Sequence, residues 1–200
     1  MKKKMKFYSV LLIVCTFITA SCKKDDTGVV FSLPGKTQAG QNTFGFVLNT
    51  SVWTNYGQVC FPFAGGCSEN LSGIFYTSDG DIHIRADRVL YKNGSWNTIE
   101  NIDLNLTTNF RGLRTYSTLA KDTIGIGYWF SEKGQVKKTY LLSQTDPTFN
   151  ITVSKIDTVN KILSGEFSGK LFRRISDTSF ATSTTDSIIL NDGRFDLKLK

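Results

Sequence analysis

From Asn42 to its end the chain alternates between apolar and polar residues in short runs. Ile82, Ile84 and Ala86 fall on one side of such a run, with His83, Arg85 and Asp87 on the other. Ile102, Leu104 and Leu106 alternate with Asp103 and Asn105, and Ile124, Ile126, Tyr128 and Phe130 repeat at the same period. So do Phe149, Ile151 and Val153, then Phe167, Gly169 and Leu171, then Phe195, Leu197 and Leu199. A period of two with one polar side predicts half-buried antiparallel strands. Between the runs stand Asp79-Gly80, Asn93-Gly94, Lys133-Gly134, Asp146-Pro147, Asn160-Lys161 and Asp192-Gly193. These read as turns, because Asn-Gly and Asp-Gly accept the positive φ angles of tight hairpins. No segment carries a helical period; Leu113 to Lys121 reads as a short helix or a loop. The pattern predicts an all-β chain with about nine or ten strands in a single antiparallel domain over residues 41–200. Such a meander covers its apolar face as a β-sandwich or a flattened barrel.

The first residues follow a different rule. Lys2, Lys3, Lys4 and Lys6 precede an apolar run from Phe7 to Ala20, then Ser21, Cys22 and Lys23-Lys24-Asp25-Asp26. That run of 14 residues is short of the roughly 20 needed to span a bilayer and has the length of a signal-peptide core. Small residues before a cysteine make residues 1–21 a lipoprotein signal peptide, although Thr19 stands where such leaders usually carry leucine. Cys22 is then the lipidation site, carrying a thioether-linked diacylglycerol and an acylated amine, since two or more chains give a stable anchor. The lipid bilayer is the expected partner, and the location is the cell envelope, anchored at the outer membrane. Residues 22–40 hold Pro34 and few large apolar side chains after Leu33, and read as a flexible lipidated tether whose Val29 to Leu33 stretch docks transiently.

The chain has 24 basic and 17 acidic residues. Removing the leader's four lysines leaves 20 against 17, a net +3, which argues against a nucleic-acid partner. Outside the leader and Cys22, the cysteines are Cys60 and Cys67. In an oxidising compartment they predict a disulfide closing a compact loop with one proline and two glycines. A metal reading needs more soft ligands, and His83 is the sole histidine. No metal or cofactor is expected. His83 lies on a strand's polar side with no G-x-S-x-G elbow, no carboxylate pair stands out, and Gly125-x-Gly127 lies within a strand pattern rather than a phosphate loop. The chain reads as a non-enzyme.

Binding is the alternative. Trp53, Tyr56, Phe61 and Phe63 cluster around the cysteine loop, with Asn55 and Gln58 as polar neighbours, and Trp129 shares a strand side with Gly125 and Gly127. An aromatic over small residues is either a platform for a glycan or peptide, or packing over a glycine gap. The two function classes are thus a non-catalytic envelope lipoprotein and a surface module binding a glycan or peptide. Asp122-Thr123-Ile124, Asp157-Thr158-Val159 and Asp186-Ser187-Ile188 each match a loose Asp-Ser/Thr-apolar triplet.

Three stretches carry a resemblance: Gly40-Gln41-Asn42-Thr43-Phe44-Gly45, Ile162 to Gly169 (ILSGEFSG), and Asp192-Gly193-Arg194-Phe195-Asp196. With the leader, they resemble a family of small Bacteroidota lipoproteins whose β domain has no assigned function. The triplets above resemble the O-glycosylation signal of that phylum, and Asp25 and Asp26 resemble its acidic surface-export signal. The resemblance implies an extracytoplasmic β domain and no activity.

Overall fold

The structure, a computed structural model, describes residues 25–61, 66–76, 80–107, 112–120, 123–143, 145, 147–176 and 180–200. The leader with Cys22, and Phe63 in the centre of the cysteine loop, lie outside the described residues.

Alternation becomes strand almost throughout. The strands are β1 (Thr43–Leu48), β2 (Ser51–Thr54), β3 (Cys60–Phe61), β4 (Gly66–Cys67), β5 (Leu71–Phe75), β6 (Ile82–Lys92) and β7 (Ser95–Leu106). They continue as β8 (Thr115–Ser117), β9 (Ile124–Glu132), β10 (Gln135–Leu141), β11 (Phe149–Asp157), β12 (Ile162–Arg174) and β13 (Thr182–Lys198). Eleven form one antiparallel sheet, and β3 and β4 form a separate hairpin. Leu113 to Lys121, expected as a short helix or a loop, divides: it supplies β8, paired to β11, and then a three-residue 3-10 helix at Thr118–Ala120, with Lys121 outside the described residues.

The sheet runs β2-β1-β13-β12-β10-β9-β7-β6-β5, with β11 and β8 branching from β12. The branch arises because β12 changes partner along its length. Ile162 to Gly169 pair with β11, whereas Phe172 and Arg173 pair with β10. The two halves turn toward each other and share one core, in which Phe44, Phe46, Trp53, Phe149, Phe167, Leu163 and Leu197 meet Ile84, Ile102 and Leu104. Phe46 stacks on Trp53 at 4.9 Å and Phe44 on Phe167 at 5.1 Å. Each such pair adds about 0.5–1.5 kcal/mol beyond its buried area. The sheet does not close into a barrel. Just past β2, Tyr56 forms an isolated bridge to Arg88 of β6, its N–H donating to Asp87 (3.1 Å) and its carbonyl accepting from Val89 (2.8 Å).

Asn93-Gly94 and Lys133-Gly134 make two-residue turns with positive φ at both positions. Asp192-Gly193 does not turn the chain. Only Asp192 has positive φ (50°), and the pairing of β13 with both neighbours slips there, so the pair forms a bulge inside a 17-residue strand. Gly193 lies against the Phe167 ring, where a side chain would collide. The bulge bends β13 around the core.

Residues 25–40 also differ from the free tether expected. They lie along the domain as a strap. The Asp26 N–H donates to Tyr91 O (2.9 Å), and its carboxylate accepts from Tyr91 N–H (2.9 Å) and the Tyr56 hydroxyl (3.1 Å). Pro34 O accepts from Arg194 (2.7 Å), and Lys36 pairs with Glu166 (2.6 Å). At the strap's end, Asp196 accepts from Thr37, Ala39, Gly40 and Gln41, and from Ser164 beneath (2.7 Å).

Candidate functional site

The polar sides of β6, β7 and β9 line up through strand register. Asp87 lies opposite Asn101, which lies opposite Trp129; one step along, Arg85, Asp103 and Gly127 form the next row. Asn101 donates to Asp87 Oδ1 (2.5 Å), and Arg85 Nε reaches the same oxygen (3.3 Å). Burial raises the Asp103 pKa; the Arg85 charge opposes this, the Asp87 charge adds to it, and His83 opposes it. The far edge of the Trp129 ring occupies the space a Gly127 side chain would need, so the ring lies back over the strand, half-buried.

The β3–β4 hairpin stands over this face. Cys60 and Cys67 are directly opposed across it and joined by a disulfide, as expected. Its base is tied down by the Tyr91 hydroxyl donating to Gln58 O (2.6 Å). Closing an eight-residue loop in this way contributes roughly 2–3 kcal/mol against the unfolded chain. Between hairpin and sheet runs an open groove of about 600 Å³, with Val59, Cys60 and Ser68 on one wall and Asp87, Trp96 and Asn101 on the other. Trp96 is partly exposed and packs over Gly134. The groove offers an aromatic edge, an amide and a carboxylate on a rigid floor, an arrangement suited to hydroxyl-rich or peptide ligands.

The expected aromatic cluster does not assemble there. Trp53 is fully buried in the core and has no face left for a ligand; its indole N–H donates to Glu100 (2.9 Å). It is carried inward because β2 alternates, and its residue-53 side faces the same core as Phe46. Tyr56 is half-buried under Phe31, ring centroids 5.2 Å apart, and its hydroxyl is spent on Asp26. Asn55 is likewise engaged, accepting from Phe44 N–H (3.0 Å). Phe61 lies in β3, on the hairpin, and Phe63 falls outside the described residues. Trp129 lies opposite the groove residue Asn101 in strand register, but its ring is laid over Gly127 and it is not among the residues that line the groove.

Two polar clusters escape the sequence reading. On the core side of the sheet, both Glu100 oxygens accept from Arg88 Nη2 (2.7 and 2.8 Å), and Oε2 accepts also from the Trp53 indole and the Tyr128 hydroxyl. The Arg88 guanidinium lies 5.5 Å from both the Phe31 and Trp53 rings. A charge at Glu100, in period with Ile102, Leu104 and Leu106, was the available signal. Asp196 offered none, because apart from Ser164 its partners lie over 150 residues away in the strap. Among the described residues no group of three or more His, Cys, Asp or Glu is placed to hold a metal ion, and no helix is long and apolar enough to cross a membrane.

The site and fold define a disulfide-braced all-β module with one grooved outer face. No family model, no curated protein and no solved structure matches the chain. The lipoprotein resemblance therefore rests on its own residues.

Proposed function

We propose that this chain is a lipid-anchored, non-catalytic protein of the cell envelope whose grooved face binds a glycan or peptide. The observation that carries the binding reading is the groove itself: a disulfide-held wall facing Trp96, Asn101 and Asp87. A wall fixed by a covalent bridge loses little ordering entropy when a ligand enters. The buried carboxylates Glu100 and Asp196 are instead occupied by contacts that hold the fold, which supports a non-catalytic role. The anchor is supported by the Cys22 leader, and the compartment by the Cys60–Cys67 bridge.

Glycan and peptide arrays probed with the intact protein test the reading. Asn101→Ala, and Ser131→Trp, which fills the groove because Ser131 is also among its lining residues, should each weaken a positive signal at least tenfold, about 1.4 kcal/mol, while melting temperature holds. Binding that survives both variants places the ligand elsewhere. An array with no signal removes the binding role and leaves the anchored structural one. Palmitate labelling that persists in Cys22→Ala would sink the anchor.

A further inference from the structure

The strap sets where an anchored domain meets its membrane. Asp26 is pinned by two backbone-directed hydrogen bonds to Tyr91, one residue before the end of β6. Cys22 precedes Asp26 by four residues, and an extended chain covers at most about 3.3–3.6 Å per residue. Its lipid therefore lies within roughly 14 Å of Asp26, a short reach beside a domain whose expected radius of gyration is about 16 Å.

The β6–β7 and β9–β10 hairpin tips share that end with the adjoining ends of β12 and β13, because β6, β7, β9, β10, β12 and β13 are successive antiparallel neighbours. The β6–β7 and β9–β10 tips flank one cleft, lined by Lys92, Asn93, Trp96 and Lys133. The start of β10 flanks the end of β12 through a second cleft, lined by Lys137, Lys138, Arg173 and Arg174. Apolar side chains project among these cations: Val136 is 63% exposed, Ile175 66% and Phe180 69%. Among the described residues the acids at this end are Asp25, Asp26 and Glu132, with Asp186 paired to Arg173 at 3.3 Å, against the six cations named, and in the sequence Asp177 stands in the β12–β13 connection. In the chain, Lys23 and Lys24 stand between this end and Cys22. Exposed apolar tips among lysines match the composition of surfaces that enter a bilayer's headgroup region, and juxtamembrane lysines are drawn to acidic headgroups.

We propose that this end of the domain, the tips of the β6–β7 and β9–β10 hairpins with the adjoining ends of β12 and β13, docks on an anionic lipid surface. The proposal rests on the lipid-anchored reading. Docking orients the domain with the β11–β12 turn, which carries the exposed Val159, farthest from the membrane. It also brings one end of the groove next to the lipid surface, since Trp96 borders both the groove and the docking cleft.

Phe180→Trp and Val159→Trp, both at exposed positions, report the orientation. The full acylated protein is reconstituted into phosphatidylethanolamine–phosphatidylglycerol vesicles with brominated acyl chains, and emission is compared with the parent protein. The tryptophan at position 180 should lose most of its added emission, and the one at 159 should keep it. Replacing the acidic lipid with phosphatidylcholine should lessen the quenching at 180. Equal quenching at both positions, no quenching at either in protein that floats with the vesicles, or indifference to lipid charge overturns the docking and leaves the anchor standing. Protein that fails to float with vesicles overturns the anchor, and the docking with it.

Discussion

Glu100 shares a strand face with Ile102, Leu104 and Leu106, and its carboxylate is tolerated there because both oxygens are engaged. Oε1 takes two Arg88 donors, and Oε2 takes a third with the Trp53 indole and the Tyr128 hydroxyl. Burial first, then the Glu100 charge, raises the Tyr128 pKa far above the usual phenol value, so the hydroxyl stays a donor. The pair is held at little exposure, side chains 14% and 6% accessible. Removing one partner leaves the other as an uncompensated charge. Glu100→Ala is expected to cost about 3–5 kcal/mol, and Trp53→Phe, which keeps the ring and loses one donor, about 1–3 kcal/mol. Urea denaturation of the two variants checks the order; a Trp53→Phe variant as damaged as Glu100→Ala would put the weight on ring shape instead.

At the scale of elements, Asp196 joins three of them: β13, β12 through Ser164, and the strap. Burial raises its pKa, but hydrogen bonds from Thr37, Ser164, Gly40 and Ala39 together outweigh that, and the net shift is downward. A depressed carboxylate pKa means stability fully present above the unfolded value, about 3.9, and lost as pH falls through the lower folded value. Asp196→Asn should therefore be less stable than the parent at about pH 7, with the gap narrowing on acidification below about pH 4. Denaturant midpoints across that range measure it; a gap constant with pH would mean that the amide replaces the carboxylate fully. The elements themselves were largely legible, because one buried face writes a period of two into the runs at Ile82, Ile102, Ile124 and Phe149. The strap was not, since its contacts are backbone groups and single polar atoms that leave no periodic trace. Nor was the site: alternation told which side of β2 Trp53 occupies, but not which side faces the core. Asp192-Gly193 was read as a hairpin because a bulge and a turn ask for the same positive φ, and only the register of β13 separates them. The motifs behind the family resemblance prove to be neighbours, with Phe44 opposite Phe195 and Ser164 opposite Asp196, so they encode one junction of β1, β13 and β12.

For the whole molecule, the sheet order puts the first strand beside the last: Thr43 pairs with Asp196, and Gly45 with Arg194. Deleting residues 195–200 removes the partner of β1's first residues and the hub of the strap together. Such a chain should give no cooperative unfolding transition, whereas the parent should give one with a β-type circular dichroism spectrum. A cooperative transition in the shortened chain would show that β12 and the core hold without that junction. The same neighbourhood of ends bears on how the protein is made. Pairings between ends so distant in sequence delay folding, because a long loop must close before any contact rewards it. A ribosome or an export pore delivers the N-terminal end first, so β1 has only its neighbour β2 to pair with until β13 emerges. Along the export route proposed above, acylation would then act on a chain still unfolded, and the late-crossing stretch around Asp196 would be the one that draws the strap down.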